Sequence, residues 1–64
     1  MKVNGKDKML EKPVSVSDFL VSEGYRPEIV AVERNGEIIP KKNFSETMLE
    51  NSDVIEVVSF MGGG

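Results

Sequence analysis

The sequence contains no cysteine and no histidine. The absence of cysteine excludes disulfide bonds, thiolate nucleophiles, zinc–thiolate sites and iron–sulfur clusters. Without histidine, a Ser-His-Asp triad and imidazole ligation of a metal are excluded as well. Long apolar runs are also missing, since the longest, Ile29 to Val32, is too short to span a membrane or to form the core of a signal peptide. We therefore expect a chain with no catalytic residues of its own, no metal site and no membrane contact.

Basic residues are in the minority, with 8 Lys and Arg against 11 Asp and Glu and a net charge of −3. Nucleic-acid binding needs a basic face, so we expect no nucleic-acid partner. A domain of 64 residues buries only about 60% of the surface of its unfolded chain, which leaves no room for a deep substrate cavity. The composition predicts a small, soluble, cytoplasmic domain that binds or carries something and is not an enzyme.

Two Asn-Gly pairs predict two hairpin turns, because both residue types tolerate positive φ. The first pair is Asn4-Gly5 and the second is Asn35-Gly36. Alternating and β-branched apolar residues on either side of these turns, and near the end of the chain, predict strands. The predicted strands cover residues 1–3, 9–12, 29–34, 37–39 and 53–60.

One helix is predicted between the two hairpins. Ser15 fits its N-cap, and Gly24 fits the left-handed position that follows a helix, which predicts a helix over 16–23. Phe19 lies on the apolar face of this helix. A helix of about two turns is marginal alone, so it must pack on a sheet. The stretch before the last strand is irregular, with one helical turn predicted around 45–49.

The order of hairpin, helix, hairpin and final strand predicts an α+β protein with a β-grasp, or ubiquitin-like, fold. One main helix covers one face of a small mixed sheet, and the first and last strands lie side by side in parallel at its centre. We expect a single β-grasp domain over 1–60 and a flexible glycine tail over 61–64. The predicted core consists of Val3, Phe19, Leu20, Val30, Val32, Ile55 and Val57.

The last three residues are Gly62-Gly63-Gly64. A phosphate-binding glycine loop needs a helix behind it, so that interpretation fails. The simplest interpretation is a frayed terminus or a cloning scar. A functional one is that glycines, which lack Cβ, thread a narrow channel and leave the terminal carbonyl open to attack. From Met61 to Gly64 the extended reach is roughly 13–14 Å, enough to deliver a carboxylate into another enzyme's active site.

Four segments resemble the ThiS family of sulfur carriers in thiamine biosynthesis: VNGK at 3–6, VERNGEIIP at 32–40, DVIEVVSF at 53–60 and the glycine tail. The resemblance covers essentially the whole chain. Each segment alone is common, but the combination of this length, the β-grasp order and a diglycine end is specific. The resemblance implies a ubiquitin-like protein that carries sulfur as a thiocarboxylate on Gly64.

The resemblance also implies the partners. An E1-like adenylyltransferase (ThiF) would adenylate the Gly64 carboxylate with ATP, and a cysteine desulfurase or another persulfide donor would supply sulfur. Thiazole synthase (ThiG) would accept that sulfur for the thiazole ring of thiamine. The chain itself would bind no cofactor, act as a cosubstrate and be a monomer when free. Gly62, Gly63 and Gly64 would enter the partner's active site.

A partner-docking surface is predicted beside the tail. Val54, Val58, Phe60 and Met61 are apolar, and Glu56 on the same face indicates that this face is not core. The simpler interpretation is that these are ordinary exposed strand residues. Three basic residues near the second hairpin are interpreted as solvated charges without a role: Arg34, Lys41 and Lys42.

The acidic residues are concentrated near the end of the sequence. Residues 43–64 contain no Lys or Arg and carry a net charge of −4, from Glu46, Glu50, Asp53 and Glu56. This charge could steer docking to a basic surface, although a solvated acidic face is the simpler interpretation.

Two other functions fit the same features. A MoaD-like sulfur carrier for molybdopterin would share the tail, but such proteins tend to be longer, with an extended middle. A ubiquitin-like modifier or interaction module without sulfur chemistry fits the diglycine end equally well.

Overall fold

The computed structural model describes residues 1–60, which form seven short strands, one α-helix and two 3-10 helices. The strands are β1 Lys2–Val3, β2 Lys6–Asp7, β3 Val14–Ser15, β4 Val30–Arg34, β5 Glu37–Ile38, β6 Met48–Leu49 and β7 Val54–Ser59. Helix α1 covers Val16–Ser22, and the 3-10 helices cover Pro27–Ile29 and Lys41–Asn43. The predicted tail, 61–64, lies outside the described residues.

Five strands form the main sheet, in the order β2-β1-β7-β4-β5. Strand β7 is central. Strand β1 runs parallel to it, with Val3 opposite Ile55. Strand β4 runs antiparallel to it along nearly its whole length, with Val32 opposite Val57. The prediction that the first and last strands lie in parallel at the sheet centre is therefore confirmed.

Helix α1 begins and ends with the predicted caps. The Oγ of Ser15 accepts a hydrogen bond from the backbone N–H of Asp18 at 3.0 Å. At the other end Gly24 has φ +84°, and the N–H of Tyr25 donates to the carbonyl of Leu20 at 2.9 Å, which is the Schellman pattern. The helix is one residue shorter than predicted, within the usual variation of helix ends. No helix within residues 1–60 has the length and apolar character to cross a bilayer.

The core lies between α1 and one face of the main sheet. All predicted core residues are buried except Val3, which is only partly buried because a groove between the first hairpin and Tyr25 opens beside it. Leu20, Val30, Val32 and Ile55 are at most 1% exposed. The core also contains five residues outside the predicted core: Met1, Val16, Ile39, Phe44 and Leu49.

The prediction of a returning strand at 9–12 is wrong. The turn Asn4-Gly5 is a two-residue turn, and such a turn pairs its flanking residues directly. Val3 therefore lies opposite Lys6, and the returning strand β2 is Lys6–Asp7. Met9, which suggested the later strand, is 82% exposed.

The predicted helical turn at 45–49 is also wrong. The helical turn lies earlier, at Lys41–Asn43, and Met48–Leu49 form a strand. That strand pairs antiparallel with β3, Leu49 opposite Val14, in a second sheet of two strands. The pairing partner is distant in sequence, so no local pattern indicates it. The other four predicted strands, at 1–3, 29–34, 37–39 and 53–60, agree with the structure to within one residue at each end.

Candidate functional site

Strand β7 directs alternate side chains to the core and to solvent, with Ile55 and Val57 buried. Val54, Val58 and Phe60 are 50%, 55% and 64% exposed, respectively. Val54 and Val58 lie on the exposed face of β7, as predicted, and Phe60, which follows the strand, is exposed as well. Their role in docking remains a prediction.

Neighbouring strands extend this face across the sheet. Ala31 lies opposite Val58, and Glu33 lies opposite Glu56 on one side and Ile38 on the other. Directly opposite residues share a face of the sheet. Ile38 is 65% exposed. We define the exposed sheet face as Ala31, Glu33, Ile38, Val54, Glu56, Val58 and Phe60.

A buried carboxylate anchors the start of β7. The Oδ1 of Asp53 accepts a hydrogen bond from Nδ2 of Asn35 at 3.1 Å, and its Oδ2 accepts one from the backbone N–H of Glu50 at 2.9 Å. Nε of Arg34 lies 3.2 Å from Oδ2 as an ion pair, without a well-aligned hydrogen bond at that nitrogen. Asn35 also accepts from the N–H of Val54 at 2.9 Å, so the cluster fixes the point where β7 begins.

The environment of Asp53 lowers its pKa below the ordinary value of 3.8. Burial alone raises the pKa, because it disfavours the charged form. The hydrogen bonds from Glu50 and Asn35 and the positive charge of Arg34 outweigh burial, since all three stabilise the carboxylate. The group is therefore ionised at neutral pH and serves as a structural anchor.

The side chain of Asn4 holds the middle of β7 and continues the hydrogen bonding between β1 and β7. The backbone N–H of Asn4 donates to the carbonyl of Ile55 at 2.9 Å. The amide of the Asn4 side chain then accepts from the N–H of Val57 at 2.8 Å and donates to its carbonyl at 3.3 Å. Strand β7 is thus hydrogen-bonded on both sides up to Val57, although β1 itself ends at Val3.

The end of β7 is held by residues that precede β4 and by Lys41. The N–H of Phe60 donates to the carbonyl of Ile29 at 2.8 Å. Nζ of Lys41 donates to the carbonyl of Glu28 at 2.6 Å and lies 5.6 Å from the centroid of the Phe60 ring, within cation–π range. Lys41 is exposed, as expected for a solvated charge, but it also makes these two contacts. The interpretation of Arg34 as a solvated charge without a role is wrong, because Arg34 pairs with Asp53.

The structure places some of the predicted site residues close together. The exposed sheet face contains Val54, Val58 and Phe60, while Met61 and the residues Gly62, Gly63 and Gly64 lie outside the described residues. The sequence pattern alone does not indicate the anchoring roles of Asn4, Asn35 and Asp53. The available signal for the two asparagines is that each belongs to an Asn-Gly pair. In the described part of the chain, no group of three metal-ligating side chains is present.

A β-grasp sheet whose central strand leads toward a run of glycines is the arrangement of the ubiquitin-like proteins. The model of the ThiS family matches residues 1–64, and the chain belongs to that family. Membership in this family confirms that the chain is a carrier protein and not an enzyme.

Two curated relatives show how far the similarity extends. The chain is 45% identical over 65 residues to the sulfur carrier protein ThiS of Bacillus subtilis (strain 168), covering 100% of this chain and 98% of that one. It is 36% identical over 62 residues to a thiazole synthase of Paramagnetospirillum magneticum. The second match covers 97% of this chain but spans only 19% of that protein.

A solved structure confirms the fold. The crystal structure of the thiamine biosynthesis protein ThiS from Geobacter metallireducens superposes with a TM-score of 0.82 at 33% sequence identity. The match covers 98% of this chain and 96% of that one. The predicted β-grasp fold is therefore confirmed.

Proposed function

We propose that the chain carries sulfur, as a thiocarboxylate on Gly64, for formation of the thiazole ring of thiamine. The observation that carries this proposal is the ThiS-family match over residues 1–64, which includes the three final glycines. The same match favours this function over a carrier for molybdopterin or a modifier without sulfur chemistry.

The first step activates the Gly64 carboxylate, which is a poor electrophile. A carboxylate oxygen of Gly64 attacks the α-phosphorus of ATP on an E1-like adenylyltransferase (ThiF), pyrophosphate leaves, and an acyl adenylate forms. The terminal sulfur of a persulfide then attacks the carbonyl carbon and AMP leaves. A second thiol breaks the remaining sulfur–sulfur bond, which leaves the thiocarboxylate on Gly64 and a disulfide on the donor side.

Apart from the Gly64 carboxylate, which is itself the reacting group, the chain supplies no acid, base or nucleophile in these steps. It binds no cofactor, since ATP binds to the partner. A cysteine desulfurase or another persulfide donor provides the sulfur, and thiazole synthase (ThiG) accepts it. The similarity of this chain to a region of a thiazole synthase supports the pairing of the carrier with that enzyme. The carrier works in the cytoplasm and is a monomer when free.

The proposal divides the chain into a β-grasp body, 1–60, and a glycine tail, 61–64. The body docks through Val54, Val58, Phe60 and Met61, and the tail enters the enzyme. The exposure of the first three residues supports this surface, because apolar groups beside a reactive end offer a partner site. Glycine suits the tail because a channel that excludes side chains still admits it.

The test is deletion of Gly64. The shortened chain still ends in two glycines, but its reach falls by about 3.5 Å. A displacement of the reacting group by about 1 Å can lower the rate of a positioned reaction by about a hundredfold. The rate of ATP–pyrophosphate exchange by the cognate adenylyltransferase should therefore fall by at least that factor. Gly63→Ala should be milder but still harmful, because a Cβ enters the channel beside the reacting carbonyl.

Circular dichroism provides the control, since no core residue changes in either variant and both should fold like the wild type. Adding one residue after Gly64 should impair exchange as much as the deletion does. Normal exchange by a folded, Gly64-deleted chain would refute the proposed carrier function.

A further inference from the structure

Two glutamates lie directly opposite each other at the centre of the exposed sheet face. Glu33 on β4 pairs in register with Glu56 on β7. Glu56 is exposed and Glu33 is half-buried. Like charges in directly opposite positions of an antiparallel pair destabilise a sheet, because their Cβ atoms are only about 5 Å apart.

Within residues 1–60 neither glutamate takes part in an ion pair, although Lys2 lies opposite Val54 on the same face. The ion pairs in the described part of the chain engage other carboxylates: Lys2 with Asp7, Lys8 with Glu23, Arg26 with Glu28 and Arg34 with Asp53. In the described part of the chain the two glutamates are therefore an acidic pair without an ion-pair partner.

Apolar side chains surround the acidic pair. Val54 and Val58 flank Glu56 along β7, and Ile38 lies opposite Glu33. Any protein that covers these apolar groups also removes water from both carboxylates. Burying two unpaired charges is strongly unfavourable, so a partner that docks here must supply positive charge at this point.

We propose that Glu33 and Glu56 bind an arginine side chain of the adenylating enzyme and determine which partner docks on the exposed sheet face. This inference rests on the proposed function. A guanidinium group is planar, weakly hydrated and has five donors, so it can bind two neighbouring carboxylates in an apolar setting better than a lysine ammonium can. Docking of a second copy through the same face is disfavoured, because it brings another acidic pair against the first.

Neutralising either glutamate should change stability and recognition in opposite directions. Glu33→Gln and Glu56→Gln remove the repulsion, so the urea midpoint of the free protein should stay the same or rise. The same substitutions should raise the KM of the adenylyltransferase for the carrier by about tenfold or more, the loss expected for a charge-assisted hydrogen bond. The kcat should change much less, because Gly64 is untouched.

Two further variants complete the experiment. Glu33→Asp keeps the charge and should keep most of the affinity. Glu46→Gln removes the same charge from an exposed position outside this face, and its KM should match the wild type.

The inference is overturned if the glutamine variants retain wild-type KM, if Glu46→Gln raises KM equally, or if the glutamine variants lower the urea midpoint. In each of these cases the wild-type chain is still adenylated and the proposed function stands. If the wild-type chain is itself not adenylated, the proposed function fails and the inference fails with it.

Discussion

Asp53 shows how one buried carboxylate positions the strand that leads to the proposed reactive end. It is 4% exposed, and its partners come from two separate parts of the chain: Arg34 and Asn35 at the second hairpin, and Glu50. The cluster joins the second hairpin turn to the start of β7. Its contribution to stability depends on ionisation of the carboxyl group.

The pH dependence of stability follows from the direction of the Asp53 pKa shift. Because the folded-state pKa is lowered, the stabilisation is fully present above the ordinary value of 3.8 and is lost as pH falls through the lower, folded-state value. Asp53→Asn should cost about 1–3 kcal/mol at pH 7, the range for hydrogen bonds to a charged group. The difference from the wild type should shrink as pH falls below about 4.

Urea denaturation of both proteins between pH 7 and pH 2 measures this difference. Asp7→Asn is the matched control, because the side chain of Asp7 is 89% exposed and makes only a 3.8 Å surface pair with Lys2. That variant should resemble the wild type at every pH. A free-energy gap for Asp53→Asn that stays constant over the whole range would refute the role assigned to its charge.

The residue-scale details were only partly predictable. The pairs Asn4-Gly5 and Asn35-Gly36 indicate turns, and both asparagines do have positive φ, at 52° and 53°. The sequence does not show that each asparagine side chain also bonds to β7, since those partners lie 53 and about 19 residues away. Asp53 could be read only as one charge in an acidic stretch.

At the scale of elements, local signals were reliable and non-local pairings were not. The caps of α1 at Ser15 and Gly24 act within one helical turn, so the sequence alone indicates the helix. Strand β6 exists because Leu49 pairs with Val14 and becomes fully buried, a long-range contact that no neighbouring residue encodes. The strand at 9–12 was predicted from its apolar residues. The two-residue turn at Asn4-Gly5 was the better guide, because it pairs Val3 directly with Lys6.

Packing of α1 on the sheet should account for much of the stability. Phe19 is 2% exposed in the core, whereas Val21 on the same helix is 66% exposed. Phe19→Ala should therefore destabilise the fold by about 3–5 kcal/mol, because it removes a buried ring and leaves a cavity. Val21→Ala should change stability by less than about 0.5 kcal/mol.

Thermal and urea unfolding of the two variants compare these effects directly. An unchanged melting temperature for Phe19→Ala would remove this residue from the core. A large loss in Val21→Ala would show that the exposed side of the helix is buried in solution.

At the scale of the whole molecule, the fold has one central strand that is fixed along its length. Asp53 and Asn35 hold its start, Asn4 holds its middle, and the backbone of Ile29 and the side chain of Lys41 hold its end at Phe60. The order of elements was enough to predict this β-grasp architecture. A carrier needs such rigidity because the body must present its reactive end in one direction.

Intact-mass analysis shows whether Gly64 is converted to a thiocarboxylate. The chain is incubated with ATP, the E1-like adenylyltransferase and a persulfide donor, and its mass is then measured with and without ATP. We expect an ATP-dependent mass gain equal to one sulfur in place of one oxygen, and no such gain in the Gly64-deleted chain. An unchanged mass in the presence of an active adenylyltransferase, or isopeptide adducts on lysines of other proteins, would contradict the formation of a thiocarboxylate on Gly64.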